Sequence, residues 1–187
     1  MTTLHTDGGV ALHRHDWPAA AAARGLVLIV HGLGEHGGRY MHVAAALAGA
    51  GWQVRAFDLR GHGRSGGARG ALPHADAMFE DLARMLDAGE TPAGARVLLG
   101  HSMGGLIAAR FAAEALAERP AAWSRPLDAL VLSSPALDPG MNAAQRALLA
   151  LLGPLAPDLA LGNGLNPAWV SRDPAVVRAY VADPLVH

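Results

Sequence analysis

Apolar residues along this chain fall into short continuous runs separated by amphipathic stretches and glycine-rich breaks. Leu4 to Thr6 and Val10 to His15 flank Asp7-Gly8-Gly9, which predicts a β-hairpin. Leu26 to Val30 is wholly apolar and rich in β-branched residues, and it stops at His31-Gly32, the pattern of a buried strand. Arg39 to Ala50 sets Met41, Ala44, Leu47 and Ala48 on one helical face. Trp52 to Phe57 reads as the next strand, and Asp58 to Gly70 as a glycine-rich loop. From Ala75 to Ala88, Met78, Leu82, Met85 and Leu86 align as a helical stripe that Gly89 ends. Arg96 to Leu99 is a strand. Ser102 to Glu118 is a helix whose alanines allow close packing on a sheet, and Leu127 to Ser133 is a further strand.

Strands alternating with helices predict an α/β fold, with a mostly parallel central sheet flanked by helices on both faces. After Pro135 the pattern changes. Asn142 and Gln145 offer a capping box for a Leu-rich helix, Ala143 to Leu152. Asp173-Pro174 opens another helix that runs to about Ala182. Prolines and glycines separate the two, with no strand signal. We therefore expect residues 1–137 to form the core and residues 138–187 a helical cap or lid.

Composition narrows the class. Half of the 187 residues are hydrophobic, and 17% are charged, which indicates a globular chain. A net charge of −1 with no basic run argues against a nucleic-acid partner. Cysteine is absent, so disulfides and thiolate metal sites are excluded. All basic residues are arginine, as in a GC-rich bacterial genome. No signal-peptide pattern and no membrane-spanning run is visible. The expectation is a cytoplasmic location with at most peripheral, transient membrane contact through the cap.

Three glycine-rich segments carry the candidate chemistry. Val97-Leu98-Leu99-Gly100-His101-Ser102-Met103-Gly104-Gly105 runs from a strand through Gly-x-Ser-x-Gly into a helix, the signature of a nucleophile elbow. It marks Ser102 as the candidate nucleophile and the Met103 N–H as an oxyanion donor. His31-Gly-Leu-Gly-Glu-His-Gly-Gly-Arg-Tyr40 follows the earlier buried strand, and its Leu33 N–H would be the second donor. Glu35 between histidines does not match the His-Glu-x-x-His metal pattern, so neither a metal nor a cofactor is expected. Asp58-Leu-Arg-Gly-His-Gly-Arg-Ser65 reads as structural, with Asp58 and Ser65 bonding local backbone.

These motifs, in this order, resemble the α/β-hydrolase superfamily and, more narrowly, the monoacylglycerol lipase and lysophospholipase group of serine aminopeptidase-like hydrolases. Leu165 to Val186, with Ser171-Arg172 and Asp183-Pro184-Leu185, is similar to the end of that group's cap. The resemblance implies a serine hydrolase of carboxylic esters working through an acyl-serine intermediate, with a lipid ester substrate under an apolar cap. It also implies a catalytic acid and histidine on loops beyond the cap, and no residue here matches either one. Asp138 stands where some α/β-hydrolases hold their acid, but it reads as a loop aspartate before Pro139. His187, the one histidine after Ser102, falls at the cap's end. The chain is thus expected to lack its C-terminal strands, to expose the Leu127–Ser133 strand as an apolar edge, and to be inactive alone. Peptidase, thioesterase and acyltransferase chemistry on the same scaffold, and a non-catalytic truncated binding protein, remain as alternatives. Oligomeric state is not readable.

Overall fold

The computed structural model describes residues 2–89, 92–138, 140, 142–152 and 166–187. Six strands form one sheet: β1 (Thr2–His5), β2 (Ala11–Trp17), β3 (Gly25–Val30), β4 (Gln53–Phe57), β5 (Ala95–His101) and β6 (Ala129–Ser133). Five α-helices accompany them: α1 (Met41–Gly49), α2 (Ala77–Asp87), α3 (Met103–Glu114), α4 (Ala143–Leu152) and α5 (Pro174–Ala182). The sheet order is β1-β2-β4-β3-β5-β6. β3 runs parallel to both β4 and β5, and β5 parallel to β6, while the β1–β2 hairpin joins antiparallel along β4. The Asp7-Gly8-Gly9 turn lies where its residues predict, with Gly9 at φ +75° and Leu4 paired to Leu12.

β3 explains the layered core. Every residue in it is buried, and because side chains alternate across a strand, it feeds two separate clusters. Leu26, Leu28 and Val30 pack with Leu82, Met85 and Leu86 of α2 and Phe111 of α3. Val27 and Ile29 pack on the other face with Ala44 of α1, Val54 and Ala56. Helices on both faces bury both sides of the parallel strands, so β3 can be continuously apolar.

Three details differ from expectation. The first turn of the Arg39–Ala50 segment is a 3-10 turn, Gly37–Tyr40, and Met41 is 64% exposed rather than on the buried face. The rest of the predicted face holds: Ala44 is fully buried, and Leu47 and Ala48 pack against the same cluster. α3 stops at Glu114, not Glu118, as turns closed by the N–H groups of Leu116 and Ala117 replace its last predicted turn. The Arg96–Leu99 strand extends to His101, which carries it to the elbow.

β6 lies at the sheet edge with all five residues exposed, including Leu130, Val131 and Leu132. Such an edge is a pairing template that monomeric proteins usually cover or charge. Asp173 caps α5 through the Ala175 N–H, with Pro174 in the first turn, as its sequence predicts. The Asn142 carbonyl accepts the Arg146 N–H at the start of α4. The Gln145 side chain, the other half of the expected capping box, lies outside the described residues. Among the described residues, no helix is long and apolar enough to cross a membrane.

Candidate active site

Ser102 joins β5 to α3 at φ +53°, ψ −119°, in the left-handed region that a residue with a side chain enters only at a cost of about 1–3 kcal/mol. The turn is fixed from three sides. The Ser102 N–H donates to the Ser133 carbonyl at 3.0 Å, and the Ser102 carbonyl accepts from Leu106 at 3.1 Å and Ala136 at 3.0 Å. Glycine is needed on both sides of the serine. A Cβ at Gly100 would run into the Gly104 carbonyl, and one at Gly104 into the carbonyls of Val30 and His31. Although Ser102 occupies the N-cap position of α3, its side chain makes no cap hydrogen bond. The hydroxyl is therefore not spent on holding the helix.

The His31–Tyr40 segment lies against this turn. A Cβ at Gly32 would sit 3.2 Å from Ser102 Cβ, and Gly34 turns the chain at φ +70°. The Gly32 N–H is already committed, donating to Glu35 Oε1 at 2.7 Å. The next N–H along the loop belongs to Leu33, whose side chain is exposed.

Glu35 organises the loop. Besides Gly32, its carboxylate accepts the Tyr40 hydroxyl at 2.7 Å and pairs with Arg39. Burial pushes its pKa up, but the hydrogen bonds from Tyr40 and Gly32 and the charge of Arg39 outweigh it and hold the carboxyl below its ordinary value. Burial, with the Glu35 charge beside it, pushes the Tyr40 phenol upward, so it stays a donor. Arg39 also stacks its guanidinium 4.5 Å from the Tyr180 ring of α5, and His36 Nε2 donates to Asp183 Oδ2 at 2.8 Å. The loop beside Ser102 is thus tied directly to the chain's last helix. Sequence patterning did not reveal these partners. The i,i+4 spacing of Glu35 and Arg39 was visible, but their convergence on a backbone N–H depends on the turn between them.

His31 sits fully buried beneath the loop. The Leu59 N–H donates to its Nε2 at 2.8 Å, so Nδ1 carries the proton and donates to the Gly32 carbonyl at 2.7 Å. Burial lowers its pKa from 6.5 to about 4. The sign of the consequence follows by linkage. Above pH 6.5 both folded and unfolded forms are neutral here, and between 6.5 and 4 only the unfolded chain binds the proton. Stability is therefore expected to fall as pH drops through that window, by about 3 kcal/mol from this group at pH 4. Urea unfolding at stepped pH checks this: His31→Gln should flatten the slope between pH 6.5 and 4, and an unchanged slope would refute the assignment.

The remaining predicted groups are placed as follows. Asp58 does more than bond local backbone, because it joins β2 and the 3-10 turn by accepting from His15 Nε2 and Gly37 N–H, each at 2.9 Å. Burial pushes its pKa up, yet the His15 bond and the Arg64 and Gly37 N–H groups hold it down at about 2. Asp138 accepts the Gly140 N–H and stays in its own loop. His187 donates its backbone N–H to the Gly34 carbonyl at 3.0 Å, and its ring lies 5.0 Å from that of His62. Among the described residues no imidazole hydrogen-bonds the Ser102 hydroxyl. Leu148 and Leu151 of α4 are 53% and 65% exposed, so those two do not serve to pack α4 on the core. Leu149 and Leu152 lie outside the described side chains. A surface hollow of about 570 Å³ between β1, α2 and Trp123 is lined by none of the predicted site residues.

Comparison with known proteins shows the family and the fold. The family described as serine aminopeptidase, S33, matches residues 21–187. A monoacylglycerol lipase of Mycolicibacterium smegmatis is 42% identical over 184 residues, covering 96% of this chain and 62% of that protein. The monoglyceride lipase of Mus musculus is 34% identical over 98% of this chain and 59% of its own length. Among solved structures, a Paleococcus ferrophilus monoacylglycerol lipase matches with a TM-score of 0.72 at 40% identity, over 94% of this chain and 64% of that one. A soluble variant of the Saccharomyces cerevisiae monoglyceride lipase, bound to a substrate analog, shares the fold at a TM-score of 0.79 and 22% identity. The chain spans about three-fifths of the length of these relatives.

Proposed function

Because the chain belongs to the serine aminopeptidase S33 family and carries the α/β-hydrolase fold, we propose that the whole protein hydrolyses carboxylic esters of lipid alcohols, in the manner of a monoacylglycerol lipase or lysophospholipase. The observation that carries this reading is Ser102 itself. It is held at φ +53° on a strand–turn–helix, its hydroxyl spared from capping, with the backbone of Gly32 against its Cβ.

In this mechanism Ser102 Oγ attacks the ester carbonyl. The carbonyl oxygen becomes an oxyanion that takes hydrogen bonds from the Leu33 and Met103 N–H groups, and the alcohol leaves with a proton. Water then hydrolyses the acyl-serine. Fixed backbone donors suit this task because they are in place before charge develops. Removing one such donor typically costs about 10²–10³ in rate. Gly32 N–H is already held by Glu35, and the adjacent Leu33 N–H is the donor assigned to the loop in this mechanism. Residues 138–187 act as the cap, and the exposed Leu148 and Leu151 offer apolar surface to an acyl chain or, transiently, to a membrane surface.

A serine without a base is a poor nucleophile at pH 7. Fluorophosphonate labelling tests the assignment. The 187-residue chain alone should label slowly, and the whole protein should label at one site, lost in Ser102→Ala. Brisk labelling of the short chain would mean that a base lies within it; labelling of the whole protein elsewhere would remove Ser102 from its role.

A further inference from the structure

We propose that His13, His15 and Asp58 form a divalent-metal site of the zinc class, joining β2 to the loop that follows β4. One donor atom from each residue lies within 4.8 Å of the other two. The strand builds this grouping. His13 and His15 are two apart on β2, so both rings stand on one face, edge to face with centroids 4.7 Å apart. Asp58 is set opposite them as its N–H donates to the His13 carbonyl at 2.9 Å, continuing the β2–β4 pairing.

Two features suit this corner to a cation. His13 Nε2 is buried with no hydrogen-bond partner, a state that costs free energy unless something fills it. The Asp58 carboxylate, in turn, is oriented by protein groups: Oδ1 accepts His15 Nε2 and Gly37 N–H, and Oδ2 accepts Arg64 N–H. Metal-ligating carboxylates are commonly held by such outer hydrogen bonds. Ser65 braces the same corner, its hydroxyl accepting the His13 N–H at 2.8 Å and donating to the Asp58 carbonyl at 2.5 Å.

Two imidazoles and one carboxylate suit zinc and its first-row neighbours rather than calcium or magnesium. Zinc bonds of about 2.0–2.2 Å in a tetrahedron separate ligand atoms by about 3.3 Å. His15 Nε2 and Asp58 Oδ1, now 2.9 Å apart, need to part only slightly. On binding, His15 Nε2 releases to solvent the proton it shares in its bond to Asp58 Oδ1, and Nδ1 takes one up from solvent, so His15 ligates as the neutral imidazole protonated at Nδ1. Solvent reaches His15 through a hollow of about 330 Å³, also lined by Trp17, Gly38 and Arg64. Because Gly37 N–H shares Asp58 Oδ1, the metal would stiffen the turn that follows the Glu35 loop.

Titration of the chelator-treated whole protein with ZnCl₂ against a chromophoric competitor tests the site. We expect one zinc bound per chain, weakened on the order of 100-fold in His13→Gln and in His15→Gln and unchanged in His42→Ala. Should either Gln variant fail to fold, imidazole ¹H–¹⁵N spectra of the unmutated chain decide the matter, with zinc moving the His13 and His15 Nε2 resonances selectively. No binding at 100-fold excess zinc over about 1 μM protein, or shifts confined to other histidines, would overturn the site.

Discussion

In the whole protein, Ser102→Ala is expected to lower kcat for the proposed ester hydrolysis by on the order of 10⁵–10⁶-fold while leaving KM within about threefold. The nucleophile bonds to substrate only as the reaction proceeds, so its loss removes transition-state stabilisation and little ground-state binding. Stability should barely change, because the Ser102 side chain caps nothing and alanine keeps the same Cβ. Ser102→Gly should go further and stabilise the fold by about 1 kcal/mol, since glycine meets no penalty at φ +53°. A serine kept at a strained position that glycine would fill better is the stability–activity trade expected of a reacting group. Calorimetry of the three proteins beside kcat and KM with a monoacyl ester makes the check. A large loss of stability in Ser102→Ala, with activity falling only in proportion to folded protein, would make Ser102 a structural residue.

The legible parts of this molecule were those governed by local rules. Alternation within Leu26–Val30 requires two buried faces, and β3 has them. Glycines spaced around Ser102 require a turn that side chains would block, and Gly104 packs against the carbonyls of Val30 and His31. What patterning could not show were contacts joining residues far apart in sequence. Asp58 reads as a loop residue until β2 brings His15 beside it. Asp183 is legible only as part of a motif similar to the end of the family's cap until His36 donates to it across 147 positions. On α1 the stripe Ala44, Leu47 and Ala48 meets the core as its period predicts, while Met41, the first residue after the 3-10 turn, stands clear of it.

The least legible feature of the core is also the one whose loss should cost most in stability. A charged residue ordinarily faces solvent, yet Asp81 lies among the buried residues of α2, 1% exposed, with Leu82, Met85 and Leu86. Its partner is Arg60, 8% exposed, from the loop after β4. The guanidinium meets the carboxylate with two parallel bonds, Nε to Oδ2 at 2.6 Å and Nη2 to Oδ1 at 2.7 Å. Two charges taken from water are tolerable only while each satisfies the other. Asp81→Leu strands the guanidinium and should destabilise the chain by about 3–5 kcal/mol, measured as a lowered urea midpoint with unchanged m. Asp81→Asn keeps the shape but loses the charge, and should fall between that variant and the parent. The double variant Arg60→Met/Asp81→Leu should recover most of the loss, because an apolar pair of similar volume avoids the desolvation cost. The interaction term of that cycle separates a charge pair from simple packing. If Asp81→Leu alone is neutral, water must reach Arg60, and the loop after β4 must be looser than its two bonds to α2 imply.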